Sequence, residues 1–149
     1  MALDTMLLAV GPRDANSVNK LAQTVIEVAK PTGATVVLGH VFTEDEFESV
    51  LDQLDYTPQT RAEPGEVARR HTTIRDLAAH FDDAEVSYEI EGAVGNHGDA
   101  IVTLAENVDA DRVVIGGRKR SPTGKAVFGS TAQEVLFAAP CPVTYVRRD

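Results

Sequence analysis

Residues 115–131, IGGRKRSPTGKAVFGST, carry the densest set of chemically capable groups in this chain. Glycines stand at 116, 117, 124 and 129, and cations at Arg118, Lys119, Arg120 and Lys125. Glycine lets backbone N–H groups approach a ligand closely. Ser130 reads as an N-cap, with Gln133 three residues on completing a capping-box pattern, so a helix should begin here. A helix start adds free N–H donors and the positive end of the dipole. A hydroxyl, free amides and cations at one spot have the chemistry of anion binding, phosphate above all. The alternative is a solvated surface loop. Against it stands the charge pattern: the chain has formal charge −9, yet four of its 14 bases fall within residues 118–125.

The stretch approaches the P-loop pattern G-x-x-x-x-G-K-[ST] and fails it. Gly124-Lys125 is present, but Lys119 stands at the first glycine and Ala126 at the magnesium-binding hydroxyl. An ordinary P-loop NTPase is excluded. Other reactive residues are scattered. His40 lies in a buried-strand pattern, His71 near a helix's apolar face and His80 at a helix end, all places for structural histidines. His97, beside Asp99 in a glycine-rich stretch, is the histidine placed most like an active group. Cys141, between two prolines, reads as a small buried apolar residue. Ser130 lacks the G-x-S-x-G elbow of a hydrolase, and Val10-Gly11-Pro12-Arg13 is not a dinucleotide fingerprint.

The elements that must hold this joint alternate regularly. Thr5–Val10 is a near-continuous apolar run, as in a strand buried on both faces. Val18, Leu21, Ala22, Val25, Val28 and Ala29 recur at helical spacing, and Pro31-Thr32-Gly33 ends that helix. Residues 34–41 form a second strand. A short helix spans about 44–54, a loop follows, and one helix runs from Pro64 to about His80. Residues 85–90 alternate like an edge strand, and 92–98 form a glycine-rich loop. Ile101, Leu104, Ala105 and Val108 mark the next helix. Residues 111–116 make the strand that feeds the basic joint, whose helix carries Phe128, Ala132, Val135, Leu136 and Ala139. Residues 142–147 make the last strand. Strands alternating with helices predict right-handed crossovers and a parallel sheet covered on both faces.

Composition bounds the function. The chain's 149 residues suit one domain, spanning 1–149, and 43% hydrophobic content is that of a globular fold. No apolar run reaches ~18 residues, and the N-terminus has no basic region of the signal-peptide kind, so a cytoplasmic protein without membrane contact is expected. One cysteine allows no internal disulfide. An acidic chain, pI near 4.8, lacks the basic footprint of nucleic-acid binding. Ten Arg against four Lys, with 12 Asp and 11 Glu, give a halophile-like composition.

With these pieces in order, the sequence resembles the universal stress protein family over essentially its whole length. The resemblance rests on LLAV at 7–10, VVLGHVF at 36–42, EG from 91, RVVIGGR at 112–118, GST at 129–131 and APCPVTYVR at 139–147. The family signature G-x-x-G, nine residues, G-[ST] is met in register by Gly116, Gly129 and Ser130. The resemblance implies a five-stranded parallel sheet in the order 3-2-1-4-5, Rossmann-like, with an adenine nucleotide of the ATP or AMP type at the switch point. The site it implies is Ala9, Val10, Gly11, Val41, Ile115, Gly116, Gly129, Ser130 and Thr131. Arg118, Lys119, Arg120 and Lys125 would supply charge to the phosphates, and Mg²⁺ would enter only as the nucleotide's counter-ion. Two positions depart from the family: Lys119 replaces the second signature glycine, and Gly11 replaces the Asp that often ends the first strand.

Three functions follow. The first is a nucleotide-responsive stress or signalling module. The second is a dimeric interaction protein with a vestigial site, drawn from Lys119 and Gly11. The third, a weak ATPase or hydrolase, ranks last, and no enzyme is expected. The last strand lies at a sheet edge, whose open N–H and C=O groups call for a partner. Val143, Thr144, Tyr145 and Val146 are the expected contacts of a two-fold homodimer, which the resemblance also implies.

Overall fold

The computed structural model describes residues 3–54, 62–117 and 129–147. The chain runs β1 (Thr5–Val10), a 3-10 turn (Pro12–Ser17), α1 (Val18–Thr32), β2 (Thr35–Phe42), α2 (Glu44–Gln53), α3 (Pro64–Arg70), α4 (Thr72–Asp83), β3 (Tyr88–Val94), α5 (His97–Asn107), β4 (Arg112–Gly117), α6 (Ser130–Ala138) and β5 (Val143–Arg147). Five parallel strands stand in the order β3-β2-β1-β4-β5. The fold and strand order expected from the sequence are those observed.

The apolar runs work by their period of two. Met6, Leu8 and Val10 of β1 bury against Leu21 and Val25 of α1 and Ile74, Leu77 and Phe81 of α4. Leu7 and Ala9 face the other way, toward Ile101, Leu104 and Ala105 of α5 and Val135 of α6. A strand covered on both faces can be a continuous apolar run, as Met6–Val10 of β1 is. Gly39 of β2 matters to the site. A Cβ there would lie 2.7 Å from Leu104 Cδ2, so the glycine lets α5 come down on the sheet.

Four expectations are corrected. The helix from Pro64 is two helices, broken at His71, whose ψ of 134° is extended. The two halves serve different cores. Val67 packs with Phe42, whereas Ile74, Leu77 and Phe81 pack under β1, so one straight helix could not serve both. The edge strand is 88–94 rather than 85–90. Glu85 turns at φ 59°, and Val86 N–H donates to Phe81 O, so these residues close α4 before the strand starts. The glycine-rich loop at 92–98 is then mostly regular structure: Gly92 and Ala93 pair with β2, and His97 and Gly98 open α5. Gly92 is glycine because the backbone of Pro64 and Gly65 lies against it, where a Cβ would collide. Lastly, Leu136 is 39% exposed, while Ala132 and Val135 carry the buried face of α6.

Candidate functional site

Strand order reverses between β1 and β4, so the loops leaving these two strands diverge and open a cleft at their carboxyl ends. The cleft encloses about 460 Å³. Ala9, Val10 and Gly11 reach it from β1, Val41 from β2, Ile115 and Gly116 from β4, and Gly129, Ser130 and Thr131 from the start of α6. All nine positions named from the sequence meet there. Arg118, Lys119, Arg120 and Lys125 lie outside the described residues.

The start of α6 differs from the expected cap. Gly129, at φ −68° and ψ 165°, holds the N-cap position without any side-chain bond, and its carbonyl accepts from Gln133 N–H at 3.0 Å. Ser130 is the first helical residue, not the cap. The backbone decides it: Gly129 is extended while its carbonyl already takes the first helical bond, which are the marks of the N-cap. The hydroxyls of Ser130 and Thr131 and the first amides of α6 therefore belong to the cleft wall, at the positive end of the helix.

The cleft also contains groups the sequence did not single out. Pro12, Arg13 and Asp14 line it from the 3-10 turn. Asp14 is 5% exposed, and its Oδ2 accepts Gly11 N–H at 2.9 Å. A carboxylate therefore reaches the end of β1 although Gly11, with no side chain, follows the strand's last residue. The signal was available, since Asp14 is three residues after Gly11, but only the short turn brings it back.

Glu46 and His97 complete the wall on the β2 side. Glu46 Oε1 accepts Thr43 N–H at 2.8 Å, and Thr43 Oγ1 accepts Glu46 N–H at 3.1 Å, a reciprocal capping box that starts α2. The same Oε1 lies 2.7 Å from His97 Nε2, at the first turn of α5. Burial pushes the Glu46 carboxyl up, but the Thr43 amide and His97 outweigh it and hold it below its usual value. The residue is thus an ionised acceptor at neutral pH, which assigns the proton to His97 Nε2. His97 is the one histidine that the sequence singled out, and it lines the cleft. Its partner, 51 residues away, could not be read from spacing.

His40 and His71 are structural. His40 is 1% exposed, stacks on Phe42 at 4.3 Å and lies 4.2 Å from the His71 ring. Burial drives its pKa down to about 3, with a smaller push in the same direction from His71. Neither ring nitrogen finds a hydrogen-bond partner among the described residues. His71 caps α4, its Nδ1 accepting Thr73 N–H at 3.3 Å. Cys141 is half-buried against the α5–α6 core rather than fully inside, and burial pushes its thiol up.

At the sheet edge β5 pairs with β4 alone among the described strands. Val143, Thr144 and Tyr145 are half-buried. Val146 is buried within the single chain, against the α1–α4 core, so its burial needs no partner. No described helix is long and apolar enough to cross a membrane.

The sheet order and the cleft at its switch point define a single-domain, Rossmann-like α/β protein. A sequence model of the universal stress protein family matches residues 3–147. A universal stress protein of Mycolicibacterium smegmatis is 38% identical over 79 residues. That match takes in 52% of this chain and 61% of the relative, less than two thirds of its length. Among solved structures, a universal stress protein from Archaeoglobus fulgidus superimposes with TM-score 0.64 at 28% identity, covering 97% of this chain and 98% of the other. A universal stress protein family protein from Arabidopsis thaliana, solved with AMP bound, gives TM-score 0.63 at 13% identity, covering 98% and 92%. The chain belongs to the universal stress protein family.

Proposed function

We propose that this chain is a nucleotide-binding stress or signalling module that takes an adenine nucleotide, ATP or AMP, in the cleft between β1 and β4. The observation that carries the reading is the polarity of that cleft. Ala9, Val41, Ile101 and Ile115 form an apolar slot, and the amino end of α6 closes one side of it. A purine is flat and apolar on its faces, and its phosphates are anionic, so both halves of the ligand meet a matching wall. The purine lies against Ala9, Val10 and Val41. Ribose and phosphates meet the backbone at Gly116 and Gly129 and the side chains of Ser130 and Thr131. Arg13 adds a cation on the cleft wall. The AMP bound to the Arabidopsis thaliana relative supports the ligand class.

The role is binding rather than turnover, since Ala126 stands where a P-loop would bind magnesium. The working unit is a homodimer joined through β5. The open edge of that strand supports the assembly, together with Phe137 on the preceding helix, which is 89% exposed. Native mass spectrometry of freshly purified protein tests the ligand: an adenine nucleotide should co-purify or bind on addition of ATP or AMP. Protein that takes up neither would favour the interaction-protein reading, for which Phe137 is the supporting feature.

A further inference from the structure

The β2 side of the cleft is closed by a pair of groups whose hydrogen-bonding capacity is only half used. Glu46 Oε1 takes two donors, Thr43 N–H and His97 Nε2–H. Glu46 Oε2 has no bonding partner among the described residues, on a side chain that lines the cleft and is 31% exposed. His97, 27% exposed on the same wall, donates its Nε2–H to Glu46, and in that tautomer Nδ1 is the ring's acceptor. The wall beside the apolar slot thus offers two acceptors and no donor from these side chains. The amino end of α6, across β1 on the β4 side, offers donors.

We propose that Glu46 and His97 read the six-position of the purine and select an amino purine over an oxo purine. The inference rests on the nucleotide reading given above. An adenine carries an exocyclic N–H₂ donor at that position, which two acceptors satisfy. A hypoxanthine or guanine presents a carbonyl oxygen there, which two acceptors repel and leave unpaired. Glu46 and His97 hold each other in place. The capping box fixes Glu46 on α2, and α5, seated on Gly39, fixes His97. The pair is a positioned edge rather than two loose side chains.

The structure also dictates an informative substitution. In Glu46→Gln the two donors, Thr43 N–H and His97 Nε2–H, both demand the amide oxygen at the Oε1 place. The amide NH₂ must then occupy the Oε2 place, turning the unpaired acceptor into a donor. Gln keeps the capping box, so α2 keeps its start.

The test is calorimetric titration of the full chain with AMP and with IMP, which differ only at the six-position and the adjoining ring proton. The wild type should bind AMP about tenfold more tightly than IMP, the scale of one unsatisfied polar contact at a partly wet site. Glu46→Gln should erase or invert that ratio, and His97→Phe should reduce it, each with an unchanged fold by circular dichroism. A ratio is insensitive to a general loosening of the site, which would weaken both ligands alike. Equal binding of AMP and IMP by the wild type, or an unchanged ratio in both variants, overturns the inference and leaves nucleotide binding standing. Binding of neither nucleotide overturns the nucleotide reading and this inference with it.

Discussion

The ring of His40 lies 4.2 Å from the ring of His71, in a pocket where His40 has no hydrogen-bond partner among the described residues. Such a site tolerates only the neutral imidazole. In the folded chain His40 protonates near pH 3, against an ordinary value of 6.5, and His71 is shifted the same way. The unfolded chain therefore binds more protons between these limits. Stability from His40 is complete above pH 6.5 and falls as pH drops toward 3, by about 1.4 kcal/mol per pH unit inside that window. His40→Leu removes the titration. Thermal melts at pH 7 and pH 4.5 should show a smaller acid loss in the variant than in the wild type, and equal losses would contradict the assignment.

Gly92 is a packing residue. The backbone of Pro64 and Gly65 occupies the space its Cβ would need. Gly92→Ala must push α3 off β3 and should cost roughly 1–3 kcal/mol, as overpacking does. Chemical denaturation measures the loss. A neutral substitution would show that α3 is free to move.

Removing the charges of Arg118, Lys119, Arg120 and Lys125 together should weaken ATP binding at least tenfold, since charge-assisted contacts are worth about 1.5–3 kcal/mol each. Lys119→Gly distinguishes two roles for the family's missing glycine: tighter binding means the side chain obstructs the phosphates, weaker binding means it pairs with them. Unchanged affinity in the quadruple variant would make the loop a solvated surface.

Assembly through β5 predicts a dimer of the 16.0 kDa chain in sedimentation equilibrium at micromolar concentration in high salt. Thr144→Pro should weaken it if that N–H bonds across the edge, because proline has no donor. A single species near 16.0 kDa would rule the dimer out.

The sheet was legible because its signals are local. Met6–Val10 and Val36–Val41 announce strands buried on both faces, and the glycines at 116 and 129 with Ser130 announce a joint that backbone must approach. The nine cleft residues followed from that joint and the family resemblance together. What escaped the sequence is non-local. No spacing connects Glu46 to His97, because Gly39 and a capping box at Thr43 bring them together. Nor does the composition around Gly92 show that a neighbouring backbone, and not a ligand, demands the glycine. Asp14 hid in a turn too short to carry periodicity. His71 broke a helix whose two halves bury into two separate cores, which only packing reveals.

The most direct test of the central claim is a crystal structure of the chain grown with millimolar AMP. The purine should lie against Ala9, Val10 and Val41, with ribose and phosphate at the backbone of Gly116 and Gly129 and the side chains of Ser130 and Thr131. AMP bound elsewhere, or a cleft that stays without AMP under those conditions, would contradict it.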